Sequence, residues 1–260
     1  MKRQFPKHRN SFDSYRIFYY KITIVLVDLI NAIRDLKVNM VTSICSFFVR
    51  INNQNEYSYR IIRRVYKMDI SKDVRTSGAY VLYKGFFIFQ VGPTKDGDKL
   101  GVVRLGGHRE GNETALATAK REAFEEAKVN IIPFNPKNTF YLKEWNDEPA
   151  RVKVNEPFSP ILIKGSGEAS YTVMYLSYAL TKPIPSSETK GLLLLTPAGI
   201  DLICNDAITL NDYHKLNGIS ILQADIDHNL VLEPFPQLIF LSKLLKEETE
   251  LMKSYIKNSY

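Results

Sequence analysis

Apolar and polar positions change rhythm along the chain, and the changes mark its elements. From Ile17 to about Phe48 apolar residues recur densely, interrupted by Asp28, Arg34, Asp35 and Lys37, which predicts one or two helices. After the polar break Asn52–Asn55, residues 57–67 mix Arg60, Arg63, Arg64 and Lys67 with apolar positions, which suits a short basic helix or an edge strand. The texture then turns β-rich. Residues 78–91 read as two strands around a Lys84-Gly85 turn. Gly92-Pro93 and Asp96-Gly97-Asp98 mark a loop, and Leu100–Leu105 is a short strand entering Gly106-Gly107. Thr114–Lys128 lacks Gly and Pro and is rich in Ala and Glu, so it predicts a helix with Asn112 as N-cap. Strands follow at 138–145, 159–164, 170–180 and 191–195. Thr196-Pro197 opens a helix through about Cys204, with proline at its first position. A single long helix is predicted over Pro236–Lys257, with Leu238, Leu241, Leu244, Leu245 and Leu251 as its packed stripe.

Composition narrows the class. Hydrophobic residues at 45% and charged residues at 24% exclude general disorder and leave a globular protein. Two isolated cysteines, Cys45 and Cys204, are too few for a disulfide framework or a zinc site, which points to a reducing, cytoplasmic setting. The net charge of +7 is uneven: residues 1–75 hold 15 Lys/Arg against 6 Asp/Glu, and the remainder is slightly acidic. The basic segment suits a solvated helical face, or contact with nucleic acid or an anionic membrane. Residues 17–33 carry Lys21 and Asp28 and fall short of the roughly 20 apolar residues that a spanning helix needs. No transmembrane span is expected, and peripheral membrane contact by residues 1–67 is the minority reading.

The chemistry concentrates in residues 106–129, GGHREGNETALATAKREAFEEAKV. Glu122, Glu125 and Glu126 stand at i, i+3 and i+4, on one helix face. Like charges at these spacings cost a few tenths of a kcal/mol per pair, so a plain surface helix gains nothing from them. A cation among the oxygens changes that sign, and Mg²⁺ is commonly held by a few carboxylates together with substrate phosphates.

This stretch resembles the signature of the Nudix family, G-x5-E-x7-R-E-U-x-E-E-x-G-U, where U is apolar. Gly107 takes the first position, Glu113 the first glutamate, then Arg121-Glu122, Ala123, Glu125-Glu126 and Val129. Lys128 stands where the family has glycine, and Leu105 where many members have proline. The first departure predicts a shifted helix end, with Asn130 supplying the left-handed residue.

The resemblance implies an α+β fold, an α/β/α sandwich with a mixed sheet between helices. An N-terminal, mostly helical extension (1–68) would precede the Nudix domain (69–206), and a C-terminal helical segment (207–260) would pack on it. It also implies a pyrophosphohydrolase that cleaves a diphosphate linkage in a nucleoside diphosphate derivative or nucleoside triphosphate. Glu122, Glu125, Glu126 and the Gly107 carbonyl would ligate Mg²⁺ or Mn²⁺, and Arg121 would orient the cluster by pairing with Glu113 or a ligating glutamate. The general base is either Glu125 or Glu188, from the loop before the strand at 191–195. Arg104 and His108 are candidates for substrate phosphate. Phe86, Phe87, Tyr141, Trp145 and Tyr171 are candidates for base stacking, although strand aromatics are more often core. His214 and His228 are assigned no role. No motif for sequence-specific nucleic-acid binding is present. The competing reading is a non-catalytic nucleotide sensor on the same fold; such proteins usually lose charged residues of the motif, and this chain keeps them all.

Overall fold

The structure, a computed structural model, describes residues 67–70, 73–166 and 170–259. The expected helices over 17–48 and the basic segment 57–66 lie outside the described residues, as do 1–16. Among the described residues no helix is long and apolar enough to cross a membrane.

Thirteen strands and five helices are described. The centre of the sheet is β2 (Val74–Tyr83), which runs parallel to β10 (Tyr171–Ala179) and turns into antiparallel β3 (Phe86–Pro93). The turn is the expected one: Lys84 and Gly85 both have positive φ, 48° and 83°, as a two-residue hairpin of this hand requires. Beyond β3 lie β11 (Gly191–Leu195) and β12 (Ile219–Leu222). On the other flank β10 pairs with β9 (Leu162–Lys164), then come β7 (Thr139–Leu142), β8 (Ala150–Val154) and the short parallel β1 (Lys67–Met68). The far end of β10 carries β6 (Ile131–Phe134).

One local departure from a plain sheet creates the candidate site. The β2–β3 hairpin pairs through only three residues on each side and then splays. Residues 99–108 fill the opening: β4 (Lys99–Val103) pairs with β3, and β5 (Leu105–His108) pairs with Thr76–Ala79 of β2. Arg104 stands at the switch. The expected single strand over 100–105 is therefore two strands on two different neighbours. Gly78 and Gly106 face each other across the β2–β5 pair, where a Cβ on either would collide with the opposing backbone.

Side-chain alternation along β2 assigns the layers. Ala79 and Val81 face α1 (Ala115–Ala127), while Tyr80 and Leu82 face the opposite core with α2 (Pro197–Asn205), α4 (Pro236–Glu247) and α5 (Thr249–Lys257). Helices thus cover both faces of a mixed sheet, the three-layer α+β arrangement that was expected. Buried Ala115, Ala119, Ala123 and Ala127 stand four apart on α1, and their small side chains bring the helix close to the sheet.

Several expectations are corrected. The helix N-cap is Thr114, whose hydroxyl accepts from the Ala117 amide at 3.2 Å, not Asn112. The helix does not run on: Lys128 itself adopts the left-handed conformation (φ 53°, ψ 31°). Its amide bonds Phe124 O at 3.0 Å, and the following Val129 is fully buried. Burial of Val129 outweighs the roughly 1–2 kcal/mol a non-glycine residue loses in that conformation. The long C-terminal helix is two helices, broken at Glu248. The segment 207–260 is not only helical: besides α3 (Leu210–Lys215) it supplies β12 and β13 (Val231–Pro234), which pairs with β4. The apolar residues of these strands are too few and too interrupted for their period to show in the sequence.

Candidate metal and diphosphate site

The site lies where α1 passes over the Gly106-Gly107 turn. Glu122, Glu125 and Glu126 project from the C-terminal half of the helix, and Arg121 gathers the first two. Arg121 Nε donates to Glu113 Oε1 at 2.9 Å, and Nη2 donates to the His108 carbonyl at 2.8 Å. Its Nη1 donates to Glu122 Oε1 at 2.9 Å and to Glu125 Oε2 at 2.7 Å. One guanidinium thus ties the backbone at the end of β5 and three carboxylates into a single unit, as its rigid fork of donors allows. Glu113 is fixed from three further sides, by Nη2 of Arg121, the Thr118 hydroxyl at 2.8 Å and the Glu110 amide. The Arg121 hydrogen bond holds its carboxyl down at about 2.

Glu126 is different in kind. It lies deeper, and its Oε2 accepts from the Gly106 amide at 2.7 Å. Burial pushes its carboxyl up to about 7, because the low-dielectric surroundings penalise the charged form more than the amide and Gln90 favour it. Glu122 is also raised, again first by burial. Gly107 has no room for a side chain, because Glu122's carboxylate occupies the place a Cβ would take.

This donor set suits a hard divalent cation: it is all oxygen, carboxylate-rich and partly desolvated. Among the described residues, however, no three acidic, His or Cys side chains converge on one point. Arg121 Nη1 stands between Glu122 and Glu125 and supplies the positive charge there. A divalent ion would engage the remaining oxygens of these carboxylates, or displace that contact.

The other expected residues fall into place unevenly. Glu188 is exposed, but its loop is docked at the end of α1: Ile184 and Ser186 amides bond the Ala127 and Glu126 carbonyls at 2.9 and 3.1 Å. Those bonds satisfy two of the helix's terminal carbonyls and bring the loop beside Glu126's backbone. His108 is exposed at the end of β5, and the contact to Arg121 is made by its carbonyl. Arg104 is only 8% exposed and its Nη1 donates to the Gly106 carbonyl at 2.5 Å, so it lies buried beneath the turn. The switch from β3 to β2 at this residue turns its side chain inward. Of the aromatic candidates, Phe87 and Tyr171 are core; Trp145 is partly exposed, with Lys164 Nζ 6.0 Å from its ring. His214 meets Ser220 and His228 away from these elements, between α3 and β12.

Sequence reasoning missed Gln90, on β3, whose side chain donates to the Arg104 carbonyl at 3.2 Å, accepts from the Thr189 hydroxyl at 3.4 Å and lies close enough to Glu126 to favour its charged form. Its signal was available: a lone amide inside the apolar run FFIFQV.

No protein-family model matches the chain, and no curated protein matches it. Solved structures similar to it include a NUDIX-family hydrolase from Clostridium perfringens, 16% identical, with 65% of this chain and 94% of that one covered at a TM-score of 0.39. A NUDIX hydrolase from Nitrosomonas europaea is 15% identical over 67% of this chain and 71% of that one, at a TM-score of 0.36. An ADP-ribose pyrophosphatase from Streptococcus suis is 13% identical over 66% and 92%, at 0.33. Identities and TM-scores this low leave the functional reading to the geometry of the site itself.

Proposed function

We propose that the chain is a Mg²⁺- or Mn²⁺-dependent hydrolase cleaving a diphosphate linkage in a nucleoside diphosphate derivative or nucleoside triphosphate. The observation that carries this reading is the carboxylate face of α1 laid against a glycine turn, with Arg121 joining Glu113, Glu122, Glu125 and the turn's backbone. Buried carboxylates on adjacent helical turns are costly in isolation, and a divalent ion relieves that cost.

Glu122, Glu125 and Glu126 would hold the ion, with the Gly107 carbonyl beside them. Bound there, it would neutralise the diphosphate oxygens and acidify the attacking water. Arg121 orients the carboxylates and keeps Glu122 and Glu125 from repelling one another. Glu188, on the loop docked at the end of α1, or Glu125 would accept the water's proton. Trp145, Phe86 and Tyr141, all partly exposed, are the aromatic candidates left for stacking a base.

The test is phosphate or nucleotide release from a panel of nucleoside diphosphate derivatives and triphosphates, with and without Mg²⁺. Wild type is compared with Glu125→Gln and Glu126→Gln. Metal-dependent turnover lost in both variants is expected. Nucleotide binding without turnover, equal in wild type and both variants, would hand the site to the sensor reading.

A further inference from the structure

Arg104 is a buried cation that the proposed chemistry does not consume. It sits at the β4–β5 switch, 8% exposed, with its Nε in no hydrogen bond and its Nη1 on the Gly106 carbonyl. The same glycine's amide donates to Glu126 Oε2 at 2.7 Å. Both polar groups of Gly106 are therefore held by charged side chains, one from beneath the turn and one from α1. Gly106 itself has φ 149°, and a Cβ there would strike Gly78 and Ser77 of β2. Burying a guanidinium without full pairing costs several kcal/mol, so its retention needs a return elsewhere. Gln90 completes the arrangement by bonding the Arg104 carbonyl from β3.

We infer that Arg104 is a positioning residue that sets the Gly106-Gly107 turn, and through it the Glu126 carboxylate, for binding a divalent cation. The inference rests on the metal-dependent reading of the site. It has a sign that distinguishes it from simple electrostatics. Arg104 is positive and lies near Glu126 and Glu122, so as a bare charge it repels an incoming cation, and removing it tightens metal binding. As the anchor of the turn it does the opposite: without it the carboxylate loses its fixed orientation and metal binding weakens. Loss of comparable supporting contacts around metal ligands costs roughly 10–100-fold in affinity.

The experiment is calorimetric titration of Mn²⁺ into the full chain and its Arg104→Met and Arg104→Lys variants, each with a thermal melt in EDTA. Wild type binds Mn²⁺; Arg104→Met binds roughly 10–100-fold more weakly. Arg104→Lys restores part of the loss, because an ammonium can reach the Gly106 carbonyl but lacks the planar fork. If Arg104→Met fails to fold, Arg104→Lys carries the comparison alone, with weaker binding than wild type expected. Activity adds a second readout: half-saturating Mn²⁺ rises in the variants while kcat at saturating metal approaches that of wild type. Mn²⁺ binding that is unchanged or tighter in the folded variants overturns the positioning role and leaves the metal reading standing. Absence of Mn²⁺ binding in wild type overturns the metal reading itself.

Discussion

Replacing Glu126 by Gln isolates the energetic strain stored in the site. The carboxyl sits at about 7 in the folded protein, against 4.5 in an exposed chain. A group raised on folding contributes its stability fully below its unfolded pKa and loses it as pH rises through the folded value. The metal-free protein is therefore destabilised by this one residue as pH climbs from about 4.5 to beyond 7, by an order-of-magnitude figure of about 3 kcal/mol. Gln keeps the oxygen that accepts from the Gly106 amide and removes the charge. Glu126→Gln is thus expected to stabilise the metal-free protein at pH 8 and to make little difference at pH 4. The assay is urea unfolding in EDTA at both pH values. For a domain of this size each kcal/mol is also worth roughly 2–4 °C in Tm. With millimolar Mg²⁺ the ranking should reverse, because metal binding to the native state adds stability that the variant forgoes. A variant less stable than wild type at pH 8 in EDTA would sink the reasoning, since burial of the charge would then not be the dominant cost.

Other perturbations read other parts of the site. Arg121→Lys should lose turnover nearly as severely as Arg121→Ala, on the order of 100-fold or more, because one ammonium cannot serve Glu113, Glu122, Glu125 and His108 O together; retention of most activity by the lysine variant would refute the clasp. Lys128→Gly should raise stability by up to about 1 kcal/mol, measured by urea melts, by relieving the left-handed backbone, with loss of the Lys128–Phe124 contact as the opposing effect. Tyr255→Phe should cost about 1–3 kcal/mol, since the α5 hydroxyl reaches buried backbone groups of Ser177 and Tyr80 and leaves them unpaired when removed; a neutral result would mean those groups find other partners. Glu113 predicts the acid limb: its carboxyl is held at about 2, so its contribution is present above 4.5 and disappears as pH falls toward 2, and the acid melt of Glu113→Gln should be correspondingly flatter.

What could be read from the sequence, and what could not, follows from how local each determinant is. The carboxylate face of α1 is set by helical spacing alone, so Glu122, Glu125 and Glu126 were legible, and so was the Lys84-Gly85 hairpin, fixed by two adjacent residues. The burial of Arg104 was not legible because its environment is created by a strand switch. Nothing in VVRLGG announces that residues 99–103 pair with β3 while 105–108 pair with β2. Lys128 shows the same limit at a helix end. Its identity argued against a left-handed cap, and the burial of Val129 beyond it, together with the pull of β6 onto β10, decided the matter. The N-cap was misassigned between Asn112 and Thr114, which are equally plausible by type, because Glu113 is committed to Arg121 and Thr118 and so fixes where the chain enters the helix. In each case the motif supplied the chemistry and long-range pairing supplied the orientation. The sheet that buries Arg104 also underlies its proposed role: a side chain held beneath the turn on the Gly106 carbonyl is placed to determine where the turn points.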